Sequence, residues 1–350
     1  MKKLIAGVLI ASSLIYAPQV DAKSKSLCSI PGKTYDAISI HNDKDLKAIN
    51  AGKYTFKGVK IGNTMKYVKS KLGKPESFIV TKDKTGATGY LMYGDYTLTF
   101  YSPKRFVSDD TLKLSAISIL LEEEKRILKR DIESVVGPAK QSNVEIEGEK
   151  IDIFNYLSVQ YSPISKGKIA IMAHMMKPSL YQSDSVVSKD NLVGNKLKNL
   201  KPKKLTVAEL KALNNGKFNY KGLKFGASPA TIKKAAGNSN SDEYTNEEDT
   251  HTLTQSYGYK DWIELDYTAD KCDGKYISDY LTFDYSKLKV TEKEMRAALG
   301  KPSDIYKDSY EDDEKPGKMI YMKTLEYKHL DVNLEKVGKT YYVDYIDVFR

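Results

Sequence analysis

One segment of this chain occurs twice. Leu46-Lys-Ala-Ile-Asn-Ala-Gly-Lys-Tyr-Thr-Phe-Lys-Gly-Val-Lys-Ile-Gly62 lies over Leu210-Lys-Ala-Leu-Asn-Asn-Gly-Lys-Phe-Asn-Tyr-Lys-Gly-Leu-Lys-Phe-Gly226 at a constant offset of 164, with ten of 17 positions identical. Most of the remaining positions exchange one apolar or aromatic residue for another. A duplication of this kind restricts the fold to two copies of one plan. Inside each copy a finer unit recurs: a helix start, an apolar residue four positions on, and a glycine five beyond that. Its four occurrences are Thr64, Val68 and Gly73; Leu128, Ile132 and Gly137; Ser228, Ile232 and Gly237; and Thr291, Met295 and Gly300.

The spacing has a physical basis. Thr or Ser supplies an N-cap oxygen, Glu294 completes a capping box with Thr291, and Pro229 occupies the first helical position after Ser228. Glycine then offers the left-handed conformation that ends a helix, and Pro75, Pro138 and Pro302 prevent continuation. The second unit lacks a capping residue, so its helix is expected to start earlier, among Glu122, Glu123 and Glu124. Strand signals follow each glycine: Tyr90–Tyr93, Tyr96–Tyr101, Leu114–Leu121, Trp262–Tyr267, Tyr280–Tyr285 and Tyr341–Phe349, with Asp273-Gly274 as a hairpin turn.

These readings predict an α+β fold of two tandem domains, each a duplicated helix-plus-antiparallel-sheet unit with its helices packed on one sheet face. The first domain spans 44–188 and the second 205–350, joined by a basic linker over 189–204. Residues 1–22 have the parts of a secretory signal: Lys2 and Lys3, an apolar run from Leu4 to Ala17, and a small-residue site at Val20-Asp21-Ala22. A secreted protein, extracellular or loosely attached to a cell surface, is therefore expected, with 23–43 as an N-terminal extension and no transmembrane segment or C-terminal anchor. Cys28 and Cys272 are the two cysteines and could form one disulfide in that compartment or stay as two thiols.

Gly62-Asn-Thr-Met-Lys-Tyr-Val-Lys-Ser-Lys-Leu-Gly-Lys-Pro75, and Thr291-Glu-Lys-Glu-Met-Arg-Ala-Ala-Leu-Gly-Lys-Pro302, resemble the repeat of the β-lactamase-inhibitor-protein-like superfamily, which includes the small outer-membrane assembly lipoproteins. The resemblance implies helices on one face of an antiparallel sheet and a second face open to a protein partner. The segment Gly216–Lys234 is similar to the immunodominant staphylococcal antigen B family of Gram-positive bacteria. That resemblance implies an extracellular, surface-associated protein able to bind nucleic acid, and it assigns no residue roles.

Charge is unevenly distributed. Residues Lys23–Leu200 hold 29 basic and 19 acidic side chains, whereas Lys201–Arg350 hold 25 and 26. Ten lysines lie between Lys189 and Lys224. Lys201, Lys203 and Lys204 in this stretch are the candidates for attracting a polyanion. Tyr90, Tyr93, Tyr96 and Tyr101 are the candidates for aromatic contact with a protein or with unpaired bases.

Chemistry finds little footing. His41, His174, His251 and His329 are far apart and lack metal-site spacing. Ser165-x-x-Lys168, Ser286-x-x-Lys289 and Lys84-Thr85-Gly86 stand in the wrong order for a penicillin-recognising enzyme. Asp270-Lys-Cys-Asp-Gly274 lacks the alternate acidic ligands of a calcium loop. The acidic clusters Glu247–Asp249 and Glu311–Glu314 read as loop tips. No catalytic residue, metal ligand or cofactor is therefore expected. The functional expectation is a non-catalytic binding protein that presents sheet faces to a protein or cell-wall partner, an inhibitor of a secreted hydrolase being one form of it. The alternative is nucleic-acid or polyanion binding through the first half and linker.

Overall fold

A computed structural model describes residues 43–121, 127–146, 149–164, 167–176, 191, 193–217, 219–247, 250–269, 275–312 and 317–350. Cys28, Cys272, His41, Glu122–Glu124, Asp273-Gly274 and the signal segment lie outside these residues. The described chain forms two compact units, one of residues 43–191 with 244–247 and the other of 193–243 with 250–350.

In the first unit, α1 (Asp43–Asn50) and α2 (Met65–Leu72) precede strands β1 (Ser77–Asp83), β2 (Gly86–Tyr93), β3 (Tyr96–Ser102) and β4 (Lys113–Leu120). After them come α3 (Lys129–Val136), β5 (Gln141–Ile146), β6 (Glu149–Ile153), β7 (Leu157–Ile164) and β8 (Gly167–Met176). The strand order is β1-β2-β3-β4-β8-β7-β6-β5, with antiparallel pairing from β1 through to β5. In the second unit α4 (Val207–Asn214), the short hairpin β9 (Asn219–Tyr220) and β10 (Leu223–Lys224), and α5 (Pro229–Ala236) lead into β11 (Ser241–Glu247), β12 (Thr250–Tyr257), β13 (Ile263–Ala269) and β14 (Ile277–Asp284). Then follow α6 (Glu292–Leu299), β15 (Asp304–Glu311), β16 (Met319–Glu326), β17 (Leu330–Val337) and β18 (Thr340–Phe349). Here the order is β15-β16-β17-β18-β14-β13-β12-β11, with Tyr244 and the three residues after it in β11 falling in the first unit.

The expected α+β class, with helices layered on one sheet face, is corrected by this arrangement. The molecule is mostly antiparallel sheet. Its six α-helices among the described residues are eight residues each, and each buries only one to four side chains. The reason is local. Thr64, Ser228 and Thr291 accept an N–H from the first turn, and Gly73, Gly137, Gly237 and Gly300 stand at φ between 84° and 87°, so four of the six helices are stopped by glycine after two turns, while α4 ends at Asn215. The third of the six does not begin among Glu122–Glu124 as the sequence suggested. It starts at Lys129, where the Asp131 carboxylate accepts the Leu128 N–H at 3.1 Å.

Both copies of the duplicated segment fold alike. Each is a two-turn helix followed by a tight turn with positive φ at both central residues, Lys57-Gly58 and Lys221-Gly222, the geometry that a two-residue hairpin demands. Strand alternation then builds the cores. In the second unit Trp262, Phe283 and Tyr220 meet with ring centroids 5.7–6.0 Å apart, surrounded by Leu265, Leu281, Val332 and Ile346 at 0% exposure. No helix among the described residues is long and apolar enough to cross a membrane.

Candidate binding face

The alternation that buries one side of β13, β14, β17 and β18 fixes what stands on the other, and cross-strand register carries the pattern on to β16 and β15. Cross-strand pairing brings Ser256, Glu264, Thr282, Asp347, Asp331, Glu326 and Asp304 into one row that crosses the sheet of the second unit from β12 to β15. Five of these seven positions are carboxylates. The row on one side of it carries Thr254, Asp266, Tyr280 and Phe349, and the row on the other carries Asp284, Tyr345, Asn333, Thr324 and Tyr306. Tyr306 and Tyr310 are 53% and 50% exposed.

The lysines of the outer strands take the opposite side. Lys307 pairs with Lys323, and Lys336 pairs with Tyr341. Lys323 donates to Glu292 of α6 at 2.7 Å and sits 3.8 Å from the Tyr341 ring centre, while Lys336 lies over Tyr321 at 5.2 Å. Charge is thus sorted by strand parity, with acid on one face, exposed at Glu264 and Asp304 but buried at Asp347, and base on the face that carries α6.

Neutral groups hold the inner carboxylates in place. Thr254 Oγ1 donates to Asp266 at 2.7 Å; Thr282 Oγ1 and Asn333 Nδ2 donate to Asp347 at 2.8 and 2.9 Å; and Thr324 Oγ1 donates to Asn333 at 2.7 Å. These bonds orient the acids without neutralising them. Loss of hydration, together with the charges of Glu264, Asp279 and Asp347, pushes Asp266 up to about 7. Asp331 rises to about 6 from loss of hydration and the nearby Glu326 and Asp347. Glu264 and Asp347 are raised as well, burial being the first cause for both. Asp331 Oδ1 and Asp279 Oδ1 are buried and accept no hydrogen bond among the described residues. Like charges set directly across strands repel one another, so the face is poised to accept positive charge.

The first unit has no counterpart to this row. Its corresponding face carries Ser77, Met92, Thr97, Ser118, His174 and Ser158 in cross-strand register, all uncharged except for the titratable imidazole. His174 is buried, its Nδ1 lies 2.8 Å from Ser118 Oγ, and burial holds its pKa down at about 4, so it is neutral at physiological pH.

The tyrosines singled out from the sequence divide by register. Tyr93 and Tyr96 pair directly across the β2–β3 hairpin and are core residues at 0% and 1% exposure. Tyr93 donates to Gly73 O at 3.0 Å, tying the sheet to the end of α2, and Tyr96 stacks on Phe56 at 4.3 Å. Neither can serve as a surface contact. Tyr90 and Tyr101 occupy the opposite, half-exposed face, and the Tyr101 hydroxyl donates to Thr85 O at 3.1 Å. Among the linker lysines, Lys203 pairs with Glu209 at 3.0 Å and lies over the Tyr220 ring, and Lys204 pairs with Glu294 at 2.9 Å. Only Lys201 of the three is exposed without an ion pair among the described residues. The four tyrosines belong to the first unit and the three lysines to the second.

Other motifs resolve into turn chemistry. Thr85 and Ser286 bond the carboxylates two residues before them, Asp83 and Asp284. Glu311 and Asp312 are tied to Gly317 and Lys318 in the β15–β16 hairpin. Among the described residues no three His, Cys, Asp or Glu side chains form a metal-binding group. Sequence reasoning missed the carboxylate row, although Asp304 and Asp308 on one parity of β15 with Lys307 on the other was a legible sign. No family model, no curated protein and no solved structure matches the chain.

Proposed function

We propose that the chain is an exported, non-catalytic binding protein whose second unit receives the cationic side chains of a protein partner on its carboxylate-and-tyrosine face. The carrying observation is the row of Glu264, Asp347, Asp331, Glu326 and Asp304 across one sheet face, exposed at Glu264 and Asp304, part-exposed at Asp331 and Glu326 and buried at Asp347, with the strands' lysines on the other side. Tyr306, Tyr310 and Tyr345 add rigid amphipathic contact area of the kind that dominates protein interfaces. Complementary charge would steer the encounter and fix register, while the aromatic groups would supply most of the binding energy. Export rests on the signal-like first 22 residues.

A polyanion is the weaker reading, because Lys203 and Lys204 already have carboxylate partners. The two readings separate in one experiment. A fluorescent oligolysine peptide and a fluorescent single-stranded oligonucleotide are titrated with the mature protein at low and physiological salt. Saturable oligolysine binding that weakens about tenfold or more with salt supports the reading. Oligonucleotide binding with no oligolysine binding would refute it.

A further inference from the structure

β15 ends the strand order of the second unit, and among the described residues no strand pairs with its outer edge. All eight of its residues are exposed. Just beyond the strand, the Asp312 N–H donates to Lys318 O at 2.7 Å. In an antiparallel pair the bonded residues alternate, so the even-numbered residues of β15 turn their backbone groups toward β16. Ile305, Lys307, Ser309 and Glu311 therefore turn theirs outward. Such a row is a template for another strand.

Two of these outward amides are already occupied. The Ile305 N–H donates to Asp304 Oδ1 and the Ser309 N–H to Asp308 Oδ1, each at 2.7 Å. We infer that Asp304 and Asp308 are edge guards that close β15 to strand addition by a second copy of this chain. Each guard precedes the amide it caps, takes up a donor that an incoming strand needs, and places negative charge where that strand's carbonyl oxygen would approach.

The occupant follows from register. An antiparallel β15–β15 pair about a two-fold axis at Lys307 sets Ile305 opposite the second copy's Ser309, so outward positions meet outward positions on both sides and the contact closes as a dimer. Ile305, Tyr306 and Tyr310, 41–53% exposed, would gain cover in that pairing. The aspartates withhold the backbone bonds that would complete it.

The test compares three variants of the mature chain with the unsubstituted protein by analytical ultracentrifugation over a concentration series, with hydrogen exchange at β15. Asp304→Ala/Asp308→Ala is expected to associate at a concentration at least about tenfold lower than the unsubstituted chain, with new protection over Ile305–Ser309. Asp304→Asn/Asp308→Asn retains an acceptor oxygen at each cap and loses only the charge, and is expected to associate clearly less than the alanine variant. Adding Lys307→Pro to the alanine variant removes the central outward N–H without touching the β15–β16 ladder, and should reverse the association. An alanine variant that associates no more than the unsubstituted chain overturns the inference. So does association that survives Lys307→Pro, or an asparagine variant that associates as strongly as the alanine one. All three positions are exposed on an edge strand, and an unchanged melting temperature for each variant is the accompanying control.

Discussion

Asp266 condenses the chemistry of the open face into one side chain. It accepts from Thr254 on one strand, stands beside Tyr280 on the next, and is crowded by Glu264, Asp279 and Asp347, which moves it from an ordinary 3.8 to about 7. A carboxyl whose folded pKa exceeds its unfolded value favours the protonated folded state. Its stabilising contribution is complete below about pH 4 and is lost as pH rises through 7. Asp331, raised to about 6, acts in the same direction. His174, held down at about 4 by burial, acts in the opposite direction below its unfolded value of 6.5, so the clean comparison lies above that value: the melting temperature is expected to be higher at pH 6.5 than at pH 8, measured by calorimetry at fixed salt. Asp266→Asn should stabilise the protein at pH 8 by roughly 1 kcal/mol, about 2–4 °C for a domain of this size, and have much less effect at pH 4. Cationic binding should strengthen between pH 5.5 and 7.5, because a bound ammonium or guanidinium lowers the same pKa values and expels the proton. At this scale part of the structure was legible and went unread. Leu91 and Leu98 are plain core residues, and parity alone puts Tyr93 and Tyr96 beside them, leaving Tyr90 and Tyr101 for the other face.

Helix boundaries were the most readable elements, because caps and stop signals act within a few residues. Thr291 and Glu294 form a reciprocal capping box, with the Thr291 N–H bound to Glu294 at 2.7 Å, and Lys204 adds a contact at 2.9 Å. These bonds bring Glu294 down to about 2. Thr291→Ala should cost about 1 kcal/mol, read as a lower denaturation midpoint with an unchanged slope. The same box at Thr206 and Glu209 opens α4 and was equally visible in the sequence. The class of the fold was harder to read. Four helix signals of the same internal spacing suggested a helical layer, but a helix stopped at eight residues carries too little apolar surface to form one, and burial falls mainly to the strands. Strand partners are set by contacts far apart in sequence, such as β14 with β18, and no local pattern announces them. The carboxylate row has the same origin: its five acids come from five strands and meet only through register.

Over the whole molecule, two units of related sequence differ in what they offer to solvent. The polar face of the first is nearly uncharged where the second is acid-lined, although the first half carries the excess of basic residues. Net charge by segment therefore pointed toward a polyanion, while the arrangement of charge on strands points toward a cation. Lysines concentrated in helices, turns and one sheet side leave the opposite side free to be acidic, and composition does not record that separation. The duplication, the two-turn helices and the strand runs were all present in the sequence; which face carries the recognition groups was decided by pairing. The central claim is that the second unit's open face binds positive charge. Its most direct test is fluorescence anisotropy of an oligolysine peptide against the unsubstituted chain and Glu326→Gln/Asp331→Asn at low salt and pH 7.5. The expected result is saturable binding weakened about tenfold in the variant, as removal of two close charges from such a face implies. Absence of binding at low salt, or equal affinity for the variant, would contradict it.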